Sequence, residues 1–326
     1  MGATSGQDLI RPTDRMRSGA RAPRRHVVVR PGLAVAYAAA VSTGLALAPG
    51  AVVFVAILSV LVAIHEGAHL LAARRAGMHC SEFSIGFGPR VVAVHGAELV
   101  VALRLVPAGG FVKVTGMTRR EEVPASLERR TYRAARLRDK LSVVFAGPAA
   151  NLVAGFAIAV LAFGPLTPEA QRSADPVGQA AELTGSLVTT SFEGYGELMA
   201  SIGGYPQLLA SGGQEGDATR VMSPVSASQF AGQASDAGIV WVALFAAIVS
   251  VALGAFNLLP IPPLDGGQAA IAGVEWAGTR LRGRTFTLPA RAVDATAYAL
   301  VGFLVLLTAS AVYLDVAAPH PNPFAG

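Results

Sequence analysis

The run His65-Glu66-Gly67-Ala68-His69 is the part of this chain best suited to chemistry. On a helix, residues four apart share a face, so two imidazoles can address one metal ion while Glu66 reaches water beside it. Two histidines leave a catalytic zinc short, because such sites use three protein ligands and keep one position open. Cys80 is the single cysteine, so a Cys-based zinc knuckle and an internal disulfide framework are both excluded. The third ligand must come from His, Asp or Glu elsewhere in the chain.

The segment Asn257-Leu258-Leu259-Pro260-Ile261-Pro262-Pro263-Leu264-Asp265-Gly266-Gly267 offers one. Its prolines end an apolar helix, and non-helical backbone at membrane depth is tolerated only where it packs in protein or lines a wet cavity. Asp265 is the candidate ligand; the alternative is that it caps the helix that follows. Asparagine occurs only at Asn151, Asn257 and Asn322, and the first two lie in apolar surroundings. Near a metal, such an amide can hold a substrate backbone or a developing oxyanion; the alternative is an interhelical hydrogen bond.

The elements that carry these residues are apolar. Of 326 residues, 52% are hydrophobic and 14% charged, which points to a polytopic membrane protein rather than soluble domains. Runs long enough to cross about 30 Å of hydrocarbon fall near 32–48, 50–73, 141–163, 238–259 and 292–314. The expected fold class is therefore an all-α polytopic membrane protein with about five transmembrane helices. In that setting a structural reading of HEGAH would bury two histidines and a carboxylate without partners, at a cost of several kcal/mol.

Charge sorts between the connections. Seven arginines from Arg11 to Arg30 precede the first run, and 74–140 is the most basic segment, whereas 164–237 holds only Arg172 and Arg220. Arg280, Arg282, Arg284 and Arg291 return at 260–291. The positive-inside rule puts the N-terminus, 74–140 and 260–291 in the cytoplasm and 164–237 outside. The net charge of +5 follows these loops instead of forming one stripe, which argues against nucleic acid as a partner. The first run also fits a cleaved signal peptide, although its basic leader is long for one.

Residues 1–31 are polar, Arg-rich and without periodicity, and are expected to be disordered. Residues 82–115 are Val-rich, partly alternating and punctuated by Gly and Pro, which predicts short strands or hairpins. The stretch ERRTYRAARLRDK over 128–140 reads as a basic, partly amphipathic helix lying along an anionic leaflet. In 164–237, helices are expected near 179–210 and 225–235. The domain reading is thus 1–31, the basic N-terminus; 32–163, helices with HExxH and the β-region; 164–237, extracytoplasmic; and 238–326, helices with the LDG motif and a short tail.

HEGAH on a membrane helix, GFGP followed by VPAGGFVKV, GPAAN on the next span and NLLPIPPLDGG on a later one together resemble the site-2 protease family of intramembrane metalloproteases. The resemblance implies one Zn2+ per chain held by His65, His69 and Asp265, with Glu66 as the catalytic acid/base. It implies that 82–115 is a membrane-associated β-hairpin region whose edge takes up extended substrate. Asn151, Asn257, Gly86, Gly88, Gly109 and Gly110, which lie in these motifs, are the expected substrate-binding or oxyanion positions. Many bacterial members insert a PDZ domain before the LDG span, and 164–237 carries no PDZ pattern.

The implied function is regulated intramembrane proteolysis. Single-span membrane proteins, such as a membrane-bound anti-sigma factor, would be trimmed first by an upstream site-1-type protease and then cut within the bilayer. The implied location is a bacterial cell membrane, crossed several times. Two other readings fit part of the pattern. A different membrane zinc protease class would use Glu as third ligand, and a metal or ion transporter would leave Glu66 without a task.

Overall fold

The computed structural model describes residues 26–118, 120–201 and 222–317. Strand β1, His26–Val29, leads into helix α1, Pro31–Leu47, and after a break at Ala48 the chain reverses into helix α2, Pro49–Arg75. Proline in the first turn suits both helix starts, because the N–H it lacks would have had no intrahelical partner there. Arg74 and Arg75 close α2 where cations favour a helix C-terminus.

Strands β2, Cys80–His95, and β3, Val100–Val114, follow, and the sheet order is β1-β2-β3 with both pairings antiparallel. Ser84 pairs with both Ala102 and Phe111, so the first part of β2 lies between two halves of a folded-over β3. The expected strand region is therefore one sheet, and it takes in residues that composition alone left unstructured. Of the 1–31 segment expected to be disordered, 1–25 lie outside the described residues, and His26–Val29 pair with Val92–His95 of β2. The β-branched run in HVVV, matched to a neighbouring strand, outweighs the polarity of the leader.

Helix α3, Leu137–Phe163, returns across the layer; α4, Pro176–Ser201, and α5, Pro224–Ala237, pack beside it and beside α2. Helix α6, Ile239–Asn257, ends at the proline-rich turn; α7 is Asp265–Arg282 and α8 is Ala290–Ala317. Four helices, α2, α3, α6 and α8, are long and apolar enough to cross a membrane. With its 17 residues, α1 reaches only about 25 Å at 1.5 Å per residue. Four of the about five expected spans are thus helices of spanning length, and the run expected at 32–48 forms this shorter helix.

The described part of 164–237 consists of α4, α5 and a short 3-10 turn at Glu169–Gln171, with no strand among the described residues. Helices α3 and α6 approach through small residues: a side chain at Gly254 would meet the Pro148 carbonyl oxygen at 3.0 Å, and Ser250 Oγ donates to the Asn151 carbonyl at 2.8 Å. Without a hydrophobic force between helices in lipid, such close backbone contact and polar ties hold the pair.

The helix expected over 128–140 does not form. Glu128–Arg130 is one 3-10 turn, and α3 begins only at Leu137. Tyr132 donates its N–H to Thr115 O, which ties the segment to the end of β3, and the Tyr132 ring packs with Ala73, Cys80, Val114 and Val143. Arg133 grips Glu128 through two N–H groups. These tertiary contacts override a weak helical preference.

Candidate metal centre

His65 and His69 lie in the C-terminal half of α2, buried and facing α3. Pro148 inside α3 lacks the N–H that would bond Val144 O, and one residue before that carbonyl Val143 O accepts a hydrogen bond from His69 Nδ1 at 2.7 Å. His69 is thereby held with Nε2 inward. The Asn151 side-chain amide stands 3.2 Å from His65 Nδ1 and holds the other ring.

Asp265 arrives from the far end of the chain. After Asn257, Pro260, Pro262 and Pro263 deny the backbone a helix, and the chain turns sharply into α7. A side chain at Gly267 would drive into Ile261 and Pro262, so the glycines after Asp265 are what let α7 tuck under the turn. Asp265 is the first residue of α7, and no side chain caps that helix end. The capping alternative is thereby displaced: Asp265 Oδ2 lies 3.0 Å from His65 Nε2 and 3.2 Å from His69 Nε2.

The two Nε2 atoms are 3.1 Å apart, and the three ligand atoms all fall within 4.8 Å of one another. Two imidazole nitrogens and one carboxylate oxygen around a common point form a donor set suited to zinc. Gly147 supports the same reading. A side chain there would come within 2.7 Å of His65 Nε2 and closer still to His69 Nε2, so α3 leaves clear the space that the ligand nitrogens face. In the sequence Gly147 is visible only within GPAAN, as a glycine beside a proline in an otherwise apolar helix.

Glu66, next to His65, turns toward the sheet. The Val112 backbone N–H serves as a hydrogen-bond donor to its carboxylate, and a side chain at Gly110 would meet Glu66 Cγ at 3.4 Å. The edge of β3 therefore runs directly over the glutamate. Of the other expected positions, Gly110 reaches the site; Gly86, Gly88 and Gly109 are bends in the sheet with positive φ, and Gly109 sits against the Phe87 ring. Asn151 reaches the site only through His65, and it is fully buried. Asn257 donates to Leu253 O of its own helix at 3.0 Å, so its amide nitrogen is engaged away from the ligands. Polar residues in apolar runs were a correct cue to burial, but the partner could not be read from one chain segment.

Beyond this centre, Glu82 is the most connected acid of the sheet. Burial opposes its charge, yet hydrogen bonds from Arg90, Ser84 and Arg104 outweigh it and hold the carboxyl down at about 2. The cluster braces the fold-over of β2 and β3 that carries Gly110 to Glu66.

Spanning helices with a buried His-His-carboxylate centre beneath a sheet edge define a multi-pass membrane protein with a built metal site. A family model described as Peptidase family M50 matches residues 53–307, and the chain belongs to this family, the site-2 proteases. It is 27% identical over 333 aligned positions to a putative zinc metalloprotease of Rhizobium meliloti (strain 1021), covering 71% of this chain and 87% of that one. It is 38% identical over 104 residues to the zinc metalloprotease Rip1 of Mycobacterium tuberculosis, covering 32% of this chain and 26% of the relative. It is 48% identical over 65 residues to the regulator of sigma-W protease RasP of Bacillus subtilis (strain 168), covering 20% of this chain and 15% of the relative. A match this short leaves most of RasP and Rip1 uncompared.

Proposed function

We propose that this chain is a zinc-dependent endopeptidase that cuts the transmembrane segments of single-span membrane proteins, in regulated intramembrane proteolysis. The observation that carries the proposal is the convergence of His65, His69 and Asp265 with Glu66 lying between them and the edge of β3. His65 Nε2, His69 Nε2 and Asp265 Oδ2 would hold the zinc. Bound there, zinc supplies Lewis acidity to water and to the scissile carbonyl.

The remaining steps belong to the chain itself. Glu66 takes the proton from the attacking water and returns it to the leaving amine. Val143 O and Asn151 keep the two imidazoles oriented with Nε2 toward the metal position. With Nε2 on a metal, His65 Nδ1 carries the proton, and the Asn151 amide serves it best with Oδ1 as acceptor. A helical substrate shields its peptide bonds, so it must unwind, and pairing with the β3 edge beside Glu66 satisfies the freed backbone groups.

The topology supports a site near the cytoplasmic side. Arg74 and Arg75 close α2, and His69 sits six residues before Arg75, about 9 Å along the helix at 1.5 Å per residue. The chain is proposed to lie in a bacterial inner membrane with a cytoplasmic N-terminus, to act after a site-1-type cut, and to release a cytoplasmic fragment. An anti-sigma factor type of substrate is favoured by the name of the Bacillus relative, a regulator of sigma-W protease.

The test is cleavage of a single-span substrate by the purified full chain, compared with Glu66→Gln and with chelator-treated protein. Cleavage by wild type alone is the expected result. Equal cleavage in all three sinks the proposal.

A further inference from the structure

A second concavity lies outside the metal centre, between the 116–140 segment, one face of α7 and the 285–290 connection into α8. Its volume is about 720 Å³, and its α7 wall is a single helical stripe, Gln268, Ile271, Ala272, Glu275, Trp276 and Thr279. Opposite stand the cations Arg133, Arg136 and Lys140. Arg133 is bound to Glu128, and Lys140 lies 5.6 Å from the centre of the Tyr132 ring. The Arg136 guanidinium has no partner among the described residues. The one acid in the wall, Glu275, already accepts the Leu288 N–H at 2.9 Å. That amide leaves the Glu275 charge in place, so with Arg133 paired to Glu128 the cavity keeps one net positive charge, from Arg136 and Lys140 against Glu275.

Its depth is that of a membrane interface. Leu137 begins the spanning helix α3, and Ala290 begins the spanning helix α8; both line the cavity. Helix α7 is not a span, yet it exposes Val274, Trp276 and Leu281 beside Arg280 and Arg282, as a helix lying in the headgroup region does. Phe286 lies flat against α7 where Gly278 leaves room, with the Arg282 guanidinium 4.2 Å above its ring. Tyr132 is only 8% exposed, lines the cavity, and its hydroxyl has no hydrogen-bond partner among the described residues.

We propose that this cavity is a binding site for the phosphate headgroup of one anionic phospholipid. Arg136 and Lys140 neutralise the phosphate, and Trp276 with Ile271 and Phe286 receives the glycerol and the first acyl carbons. A free inorganic anion shares the phosphate chemistry but makes no use of the apolar wall. Because Gln268 is one turn beyond Asp265, a lipid seated here would rest against the base of α7 and steady the helix that carries the third ligand. The inference rests on the membrane placement and not on the protease reading, and none of its readouts is activity.

The full chain in detergent is offered phosphatidylglycerol and phosphatidylcholine of matched acyl chains and examined by native mass spectrometry. The expected result is one retained phosphatidylglycerol per chain with at least a tenfold preference. The preference falls to within twofold in Arg136→Ala/Lys140→Ala and survives in Arg136→Lys/Lys140→Arg. Equal retention of both lipids, or a preference unmoved by the alanine pair, overturns the proposal, as does displacement of the lipid by millimolar inorganic phosphate. Should the alanine pair fail to fold, a Trp241→Phe background leaves Trp276 as the only indole. Its fluorescence is then expected to be quenched saturably by brominated phosphatidylglycerol and not by brominated phosphatidylcholine; equal quenching is the overturning result.

Discussion

The side-chain amide of Asn151 stands 3.2 Å from His65 Nδ1, on the opposite edge of the ring from the nitrogen that meets Asp265. A buried amide in α3 thus holds the ring of a proposed ligand in α2. Removing it frees the ring to rotate, and losses of about 10–100-fold in metal affinity are typical for such partners. Asn151→Ala is expected to show a drop of that order in a competition titration against a zinc chelator, with the helical circular dichroism unchanged. Unaltered affinity would mean that the contact is only interhelical.

Gly147→Ala places one methyl group where the ligand nitrogens converge. Alanine is about 1 kcal/mol better than glycine in a helix interior, so the fold itself is not weakened by local propensity. The expected variant is folded, at least tenfold poorer in bound zinc by elemental analysis, and inactive. Full zinc content would show that the metal sits elsewhere.

Glu66 lies beside the proposed ligands His65, His69 and Asp265, and its proposed role is that of the general base. Glu66→Gln is expected to keep its zinc while activity falls by roughly 10²–10⁴-fold, the usual contribution of a general base. Asp265→Ala is expected to lose zinc and activity together. Zinc loss in the glutamine variant would reassign Glu66 as a ligand.

The Glu82 carboxyl, held at about 2 by Arg90, Ser84 and Arg104, is charged in the folded sheet well below its ordinary value of 4.5. A depressed folded value means that its stabilisation is fully present above about pH 4.5 and is lost as the pH falls toward 2. Glu82→Gln is expected to lower stability at pH 7 by about 2 kcal/mol, less than a fully buried pair because Arg90 is 39% exposed. Thermal melts of wild type and variant should converge between pH 4.5 and 2. A gap that persists at the acid end would assign the effect to packing.

Cys80 is 3% exposed, and burial pushes its thiol pKa up against the pull of Arg74 and Arg130. A maleimide at neutral pH is expected to leave the native chain unlabelled and to modify it once denatured. Rapid native labelling would require the β2 end of the sheet to open.

Sequence alone determined those features whose causes are local. Apolar length set the spans, proline spacing ended α6 before Asp265, and i,i+4 spacing put His65 and His69 on one face. Motif order also tied these segments to one family. The tertiary structure decided what depends on contacts between distant segments. The 128–140 stretch lost its helix because Tyr132 is drawn under the sheet, and HVVV became a strand only because β2 offered an edge. Asn151 proved to hold a histidine, while Asn257 turned back onto its own helix; the two amides look alike in sequence because neither names its partner. Gly147 mattered for the space it leaves between α2 and α3, and a missing side chain has meaning only once the neighbours that would collide with it are in place.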